Sequence, residues 1–212
     1  MNYISQLLKR CIYLFVLIVC NKVTKIVIVQ FKRYGNYFYS CFIKTSLKKL
    51  DDGFLLEYPV ILKGGKYIEI GKNFSSRSRL RIEAWDVFIG THYCPRIIIG
   101  NNVIINFDCH IGAINLIQIG DNVLIGSRVL ITDHSHGEIS TQYLSEPPSK
   151  RPLYSKGAVI IEDNVWIGEG VVILANVRIG RNSIIGANSV VNKNIPANCV
   201  IGGIPSKIIK QL

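Results

Sequence analysis

The sequence predicts an all-β chain wound as a parallel β-helix, preceded by a helical segment and closed by a short C-terminal helix. Three observations carry the β-helix. From Ile161 an aliphatic residue falls on every sixth position: Ile161, Ile167, Ile173, Ile179, Ile185 and Val191. Three places after each comes Asn164, Gly170, Asn176, Asn182, Asn188 and Asn194. Four places after each comes Val165, Val171, Val177, Ser183, Ser189 and Ile195. A helix needs a period near 3.6 and a half-buried strand a period of 2, so neither explains a period of six. One short strand and one corner recurring at a fixed interval explain it. The aliphatic residue fills the interior, and Asn or Gly accepts the positive φ of a tight corner.

The chain opens on a segment of different character. Residues 1–50 carry nine Lys or Arg and no acidic residue, whereas residues 51–212 carry 16 basic and 14 acidic residues. The net charge of +11 is thus concentrated in the first 50 residues. Their longest uncharged stretch, Cys11–Asn21, is too short for a membrane span of about 20 apolar residues, and Lys22 and Lys25 interrupt the next apolar run. The basic start and short apolar run lack a small-residue cleavage site, which argues against a signal peptide. The pattern predicts amphipathic helices that lie on an anionic membrane surface, or else pack on the β-helix or a neighbouring subunit. No nucleic-acid-binding motif accompanies the charge.

Residues 51–212 form the second predicted domain. Ile99, Ile105 and Ile111 keep the six-residue spacing, a two-residue slip intervenes, and Ile119, Ile125 and Ile131 resume it. Weaker echoes lie at Ile70-Gly71 and Ile89-Gly90. With about 18 residues to a coil, residues 67–131 and 158–200 predict roughly six coils at the usual ~4.8 Å strand spacing. Between them, residues 132–157 are polar, with three prolines and two of the four histidines. So long a loop in a compact domain is functional or disordered. His134 and His136 stand at its root. An imidazole ordinarily titrates near neutrality, so either can act as a general base there, and either can be an idle loop residue. His92 and His110 fill ordinary positions, although His110 can face the same cleft. The six cysteines, Cys11, Cys20, Cys41, Cys94, Cys109 and Cys199, form no paired framework or zinc spacing. That usage fits a reducing cytoplasm.

From Ile99 to Leu212 the chain resembles the hexapeptide-repeat O-acetyltransferases that act on galactosides, maltose and polysaccharides. The resemblance rests on Ile104-Ile105-Asn106-Phe107, on Ile131-Thr132-Asp133-His134, on the run EDNVWIGEGVVILANVRIG, and on IIGANSVVNKNIP and IGGIPSKIIK, in that order. It implies a left-handed hexapeptide prism, a homotrimer, and acetyl-CoA as acyl donor with no metal. It implies His134 as catalytic base, Asn106 as a residue holding the acceptor sugar, and Trp166 near the thioester. Glu169 stands where the family has a serine, so a hydroxyl role there is lost. The coenzyme A contacts fall on Ala187, Asn192, Lys193 and Lys210, with Asn192 replacing a threonine.

The implied reaction needs no enzyme nucleophile, because the thioester is already activated. A neutral histidine accepts the proton of a sugar hydroxyl as it attacks the carbonyl. Two other uses of such a prism are a non-catalytic assembly module and a γ-class carbonic anhydrase. A scaffold has no need of His134, Asn106 and Trp166, and histidines two apart suit a shared metal poorly. The basic, apolar start suggests a membrane-proximal glycan as acceptor, such as an O-antigen or capsule intermediate, and a cytoplasmic enzyme peripheral to the inner face of the membrane.

Overall fold

The computed structural model describes residues 3–19, 22–138 and 140–212, so Cys20 lies outside the described residues. The chain divides into two compact units, Met1–Phe38 and Tyr39–Leu212. The first holds helix α1 (Tyr3–Val19) and most of helix α2 (Lys22–Lys44). The second holds the last turn of α2 and all the strands.

Three parallel sheets form the prism, and successive strands of the chain visit them in rotation. The interior is built from side chains stacked in register between coils. In the first sheet Leu50, Ile70, Ile99, Ile119, Ile161 and Ile179 stand one above another. In the second, Leu56, Ser76, Ile105, Ile125, Ile167, Ile185 and Ile201 do so. In the third the column is Leu62, Ile82, Ile111, Ile131, Ile173 and Val191. Burying each fully buried Leu, Ile or Val of these columns contributes about 1.5–3 kcal/mol, and β-branched Ile and Val suit the extended backbone that places them there.

The corner asparagines do more than tolerate a left-handed backbone. Asn73, Asn102, Asn122, Asn164, Asn182 and Asn198 all hold φ between 56° and 58°. Each amide of this column donates to the carbonyl oxygen of the next, from Asn73 to Asn102 (2.9 Å) through to Asn182 and Asn198 (2.8 Å). Glycine at these positions would keep the turn and lose the ladder. The reverse holds at Gly168, where a Cβ would stand 2.7 Å from the amide nitrogen of Ala187 in the coil above.

The structure adds a coil at residues 49–63 that the Ile–Gly pattern does not announce. Leu50, Leu56 and Leu62 keep the same spacing with leucine in place of isoleucine. This first coil has no coil beneath it, and the end of α2 covers its exposed backbone. The buried Ser40 Oγ accepts from Leu56 N (2.8 Å) and donates to Leu56 O (3.2 Å). Tyr39 does the same for Val60, at 3.0 and 3.1 Å.

Two expectations are corrected. The predicted short C-terminal helix is a strand, Lys207–Gln211, which pairs antiparallel with Cys199–Gly202. A segment of five residues is by itself too short for a stable helix. The last coil also offers an open sheet edge that this strand closes, as Gln211 Nε2 donates to Ala197 O and Asn198 O. Ile89-Gly90 is likewise no coil corner. It is the tip of a hairpin, Val87–Phe88 with Thr91–His92, that leaves the prism between the second and third coils.

Within every coil the inward residues are six apart, so all irregularity falls at one edge, where the third sheet returns to the first. Leu62 to Ile70 and Ile111 to Ile119 each carry two extra residues, the hairpin lies between Ile82 and Ile99, and the long loop lies between Ile131 and Ile161.

Candidate active site

That irregular edge carries His134. Leu130–Thr132 is the third-sheet strand of the fourth coil, and the chain leaves the prism directly after it. Asp133 is fully buried and accepts hydrogen bonds from Ile114 N (2.9 Å) and Asn115 N (2.8 Å), both on the neighbouring coil. Its Oδ1 also lies 3.0 Å from His134 Nδ1. A carboxylate only accepts, so the proton between them rides on Nδ1, and Nε2 is left as the basic nitrogen. The next residues, Ser135–His136, form a ribbon with Leu153–Tyr154 that closes the root of the long loop.

The hairpin at residues 87–92 buttresses this ribbon. Phe88 packs edge-on against His136, with ring centroids 5.4 Å apart, and Tyr93 Oη donates to Leu153 O at 3.0 Å. His136 is exposed, with its ring contact to Phe88 at the loop root. His110, on the coil before His134, faces the same place. A Cβ on Gly112 would lie 3.3 Å from both His110 Nε2 and His134 Cε1, so glycine there opens a shared recess for the two rings. His110 Nε2 meets Glu83 at 3.3 Å, and Glu83 also pairs with Arg81 at 2.7 Å. Burial, with Arg81 nearby, lowers the His110 pKa, so at neutral pH this ring is uncharged beside His134. Burial pushes the Glu83 carboxyl up, but Arg81, together with His110 and Trp85, brings it below the usual carboxylate range. Glu83 and the hairpin went unread in the sequence. The signal was the spacing of 17 positions from Ile82 to Ile99, where the same edge takes eight from Leu62 to Ile70 and from Ile111 to Ile119.

A cavity of about 310 Å³ opens beside His134, lined also by Ser135, Tyr154, Lys156, Leu174, Ala175 and Asn192. The structure therefore brings Asn192, with Lys193 exposed next to it, to the histidine. Asn106, Glu169 and Ala187 stand elsewhere, on the edge between the second and third sheets. There Asn106 Nδ2 donates to Ile125 O at 3.0 Å, and Glu169 pairs with Arg128. Trp166 is 52% exposed on the outer face of the second sheet, between Leu124 and Ile184. Lys210 is exposed on the closing strand opposite Val200. The width of the third sheet, on the order of 15–20 Å for six extended residues, separates His134 from Asn106 within one chain. Among the described residues no three His, Cys, Asp or Glu side chains gather as a metal site.

Residues 158–193 match the family model described as bacterial transferase hexapeptide (six repeats). The Escherichia coli K12 protein WbbJ, named as a lipopolysaccharide biosynthesis O-acetyl transferase, is 38% identical over 161 residues, covering 74% of this chain and 78% of WbbJ. The chain belongs to the hexapeptide-repeat acetyltransferases. It is an acyltransferase with acetyl-CoA as donor, and its prism is the left-handed parallel β-helix of that family. The galactoside O-acetyltransferase of E. coli K12 is 38% identical over 125 residues, 57% of this chain and 56% of that one. A galactoside acetyltransferase solved with coenzyme A superposes with a TM-score of 0.53 at 28% identity, covering 81% of this chain and 68% of that one. A Bacillus cereus N-acyltransferase superposes with a TM-score of 0.66 over 82% of this chain and 88% of that one. At 19% identity it speaks for the fold alone.

The Asp133 contacts give a direct test. Asp133→Asn would set an NH₂ group against one of three N–H donors that now meet a carboxylate. The variant is expected to lose about 1–3 kcal/mol of stability in chemical denaturation and to lower kcat at least about tenfold through a misaligned His134. An unchanged kcat in a folded Asp133→Asn protein would show that the carboxylate does not orient the ring.

Proposed function

We propose that this acetyltransferase moves the acetyl group of acetyl-CoA to a sugar hydroxyl in surface-polysaccharide biosynthesis, an O-antigen or capsule unit, with His134 as the base. The observation that carries this reading is the buried Asp133 holding His134 Nδ1, with the ring beside an open cavity. Nε2 takes the hydroxyl proton as the oxygen attacks the thioester carbonyl. The tetrahedral intermediate then collapses, and the same proton is returned to the departing thiolate. The WbbJ name supports a lipopolysaccharide acceptor.

The placement of the candidate residues on two edges supports a trimer with the site between adjacent prisms. One chain would supply His134 and its cavity, and its neighbour Asn106 to orient the acceptor. Coenzyme A would run past Trp166, Glu169, Ala187 and Asn192, with Lys193 and Lys210 meeting its phosphates. Purified protein supplied with acetyl-CoA and polysaccharide repeat-unit acceptors should release free thiol in step with an alkali-labile acetyl ester, read by mass spectrometry. Acetyl groups found only on amino sugars, and stable to alkali, would replace O-transfer with N-transfer.

A further inference from the structure

The first unit has a surface that acetyl transfer does not use. In α1 every residue from Cys11 to Ile18 is apolar and exposed, so this end is apolar all round, with Phe15 and Ile18 each 67% open. Eight helical residues rise about 12 Å, and among the described residues no helix is long and apolar enough to cross a membrane. Lys9 and Arg10 precede this run and are exposed. In α2, Val27, Phe31, Tyr34 and Phe38 recur at helical spacing and share one face, with Phe31 78% and Phe38 71% exposed. At 100° per residue, Lys25, Lys32 and Arg33 fall on the opposite side.

The charges separate in the same way. Lys44, Lys48 and Lys49, the last three cations of the basic segment, pair with Asp52, Glu69 and Asp51. Among the described residues no carboxylate pairs with Lys9, Arg10, Lys25, Lys32 or Arg33, and residues 1–50 contain no acid of their own. A sheet of phosphate anions over an apolar layer matches both halves of this pattern, because long basic side chains reach the headgroups while aromatic and aliphatic ones enter the acyl boundary.

We infer that α1 and the first part of α2 dock the enzyme on the surface of a bilayer containing anionic lipid. The helices lie in the interface and do not cross it. The test uses full-length protein sedimented with vesicles of phosphatidylcholine alone or mixed with phosphatidylglycerol. Binding should be at least tenfold stronger to the mixed vesicles and should fall as ionic strength rises. Lys25→Gln/Lys32→Gln/Arg33→Gln should weaken it at least tenfold, and Phe15→Asp/Phe31→Asp should abolish it, with affinity for acetyl-CoA unchanged in both. Equal binding to the two vesicle types, or none, in the unaltered protein would overturn the proposal whatever the variants do. So would a Phe15→Asp/Phe31→Asp protein that keeps its vesicle binding but changes oligomeric mass, because the apolar face would then cover another copy of the chain.

Discussion

Replacing His134 by alanine is expected to lower kcat by about 10²–10⁴-fold while leaving affinity for acetyl-CoA near that of the unaltered enzyme. The size follows from the role. The thioester remains activated and the acceptor still binds, but the attacking hydroxyl must shed its proton to water. The structural cost should be small, because His134 comes after the last strand of its coil and none of its atoms fills the prism. Steady-state kinetics together with donor binding measured by calorimetry separate chemistry from binding. His136→Ala is the control: His136 packs on Phe88 and should affect stability of the loop root more than turnover. Near-normal turnover in His134→Ala would end the assignment, and an equal loss confined to His136→Ala would move the base two residues along.

The second large effect tests where the site is completed. Asn106→Ala should cost on the order of 10²-fold in turnover through lost positioning. Chains carrying His134→Ala and chains carrying Asn106→Ala, each nearly inactive alone, should regain activity when unfolded together and refolded as mixed trimers. About a quarter of the sites would then be intact, since each takes an unaltered histidine edge half the time and an unaltered asparagine edge half the time. Recovery toward a quarter of normal activity, read by thiol release, is the expected result. If the mixture gives only the average of its components, His134 and Asn106 do not work across a subunit boundary.

Much of this molecule was legible because a coil's contacts repeat. Each turn meets the same neighbours above and below, so each selects the same residue types, and Ile161 through Val191 display the prism without help from distant sequence. The weaker parts fail for physical reasons. Leu50, Leu56 and Leu62 keep the spacing, but their corners lack the Ile–Gly pairs that mark later coils, so the first coil blends into the basic segment. Ile89-Gly90 carries the same pair for a different reason: both residues are left-handed at a hairpin tip, whereas Gly71, Gly100 and Gly120 of the coil pairs are not left-handed and leave room for the backbone of the next coil. The C-terminal strand forms because the last coil leaves an edge to be paired, a demand that residues 207–211 do not themselves encode.

The site divides along the same line. The sequence by itself determined the period, and with it the prism, its apolar columns and the position of the long loop, because those depend on neighbours at a fixed separation. Its ordered motifs also singled out His134, Asn106 and Trp166. Only the tertiary structure decided that Asp133 is buried and spends its carboxylate on Ile114, Asn115 and His134. Only there do Glu83 and His110, 27 residues apart, meet beside the histidine. It also set Asn106 and His134 on different edges of one chain. These arrangements join residues whose separation along the chain includes excursions of arbitrary length, and no period predicts which side chains such excursions bring together.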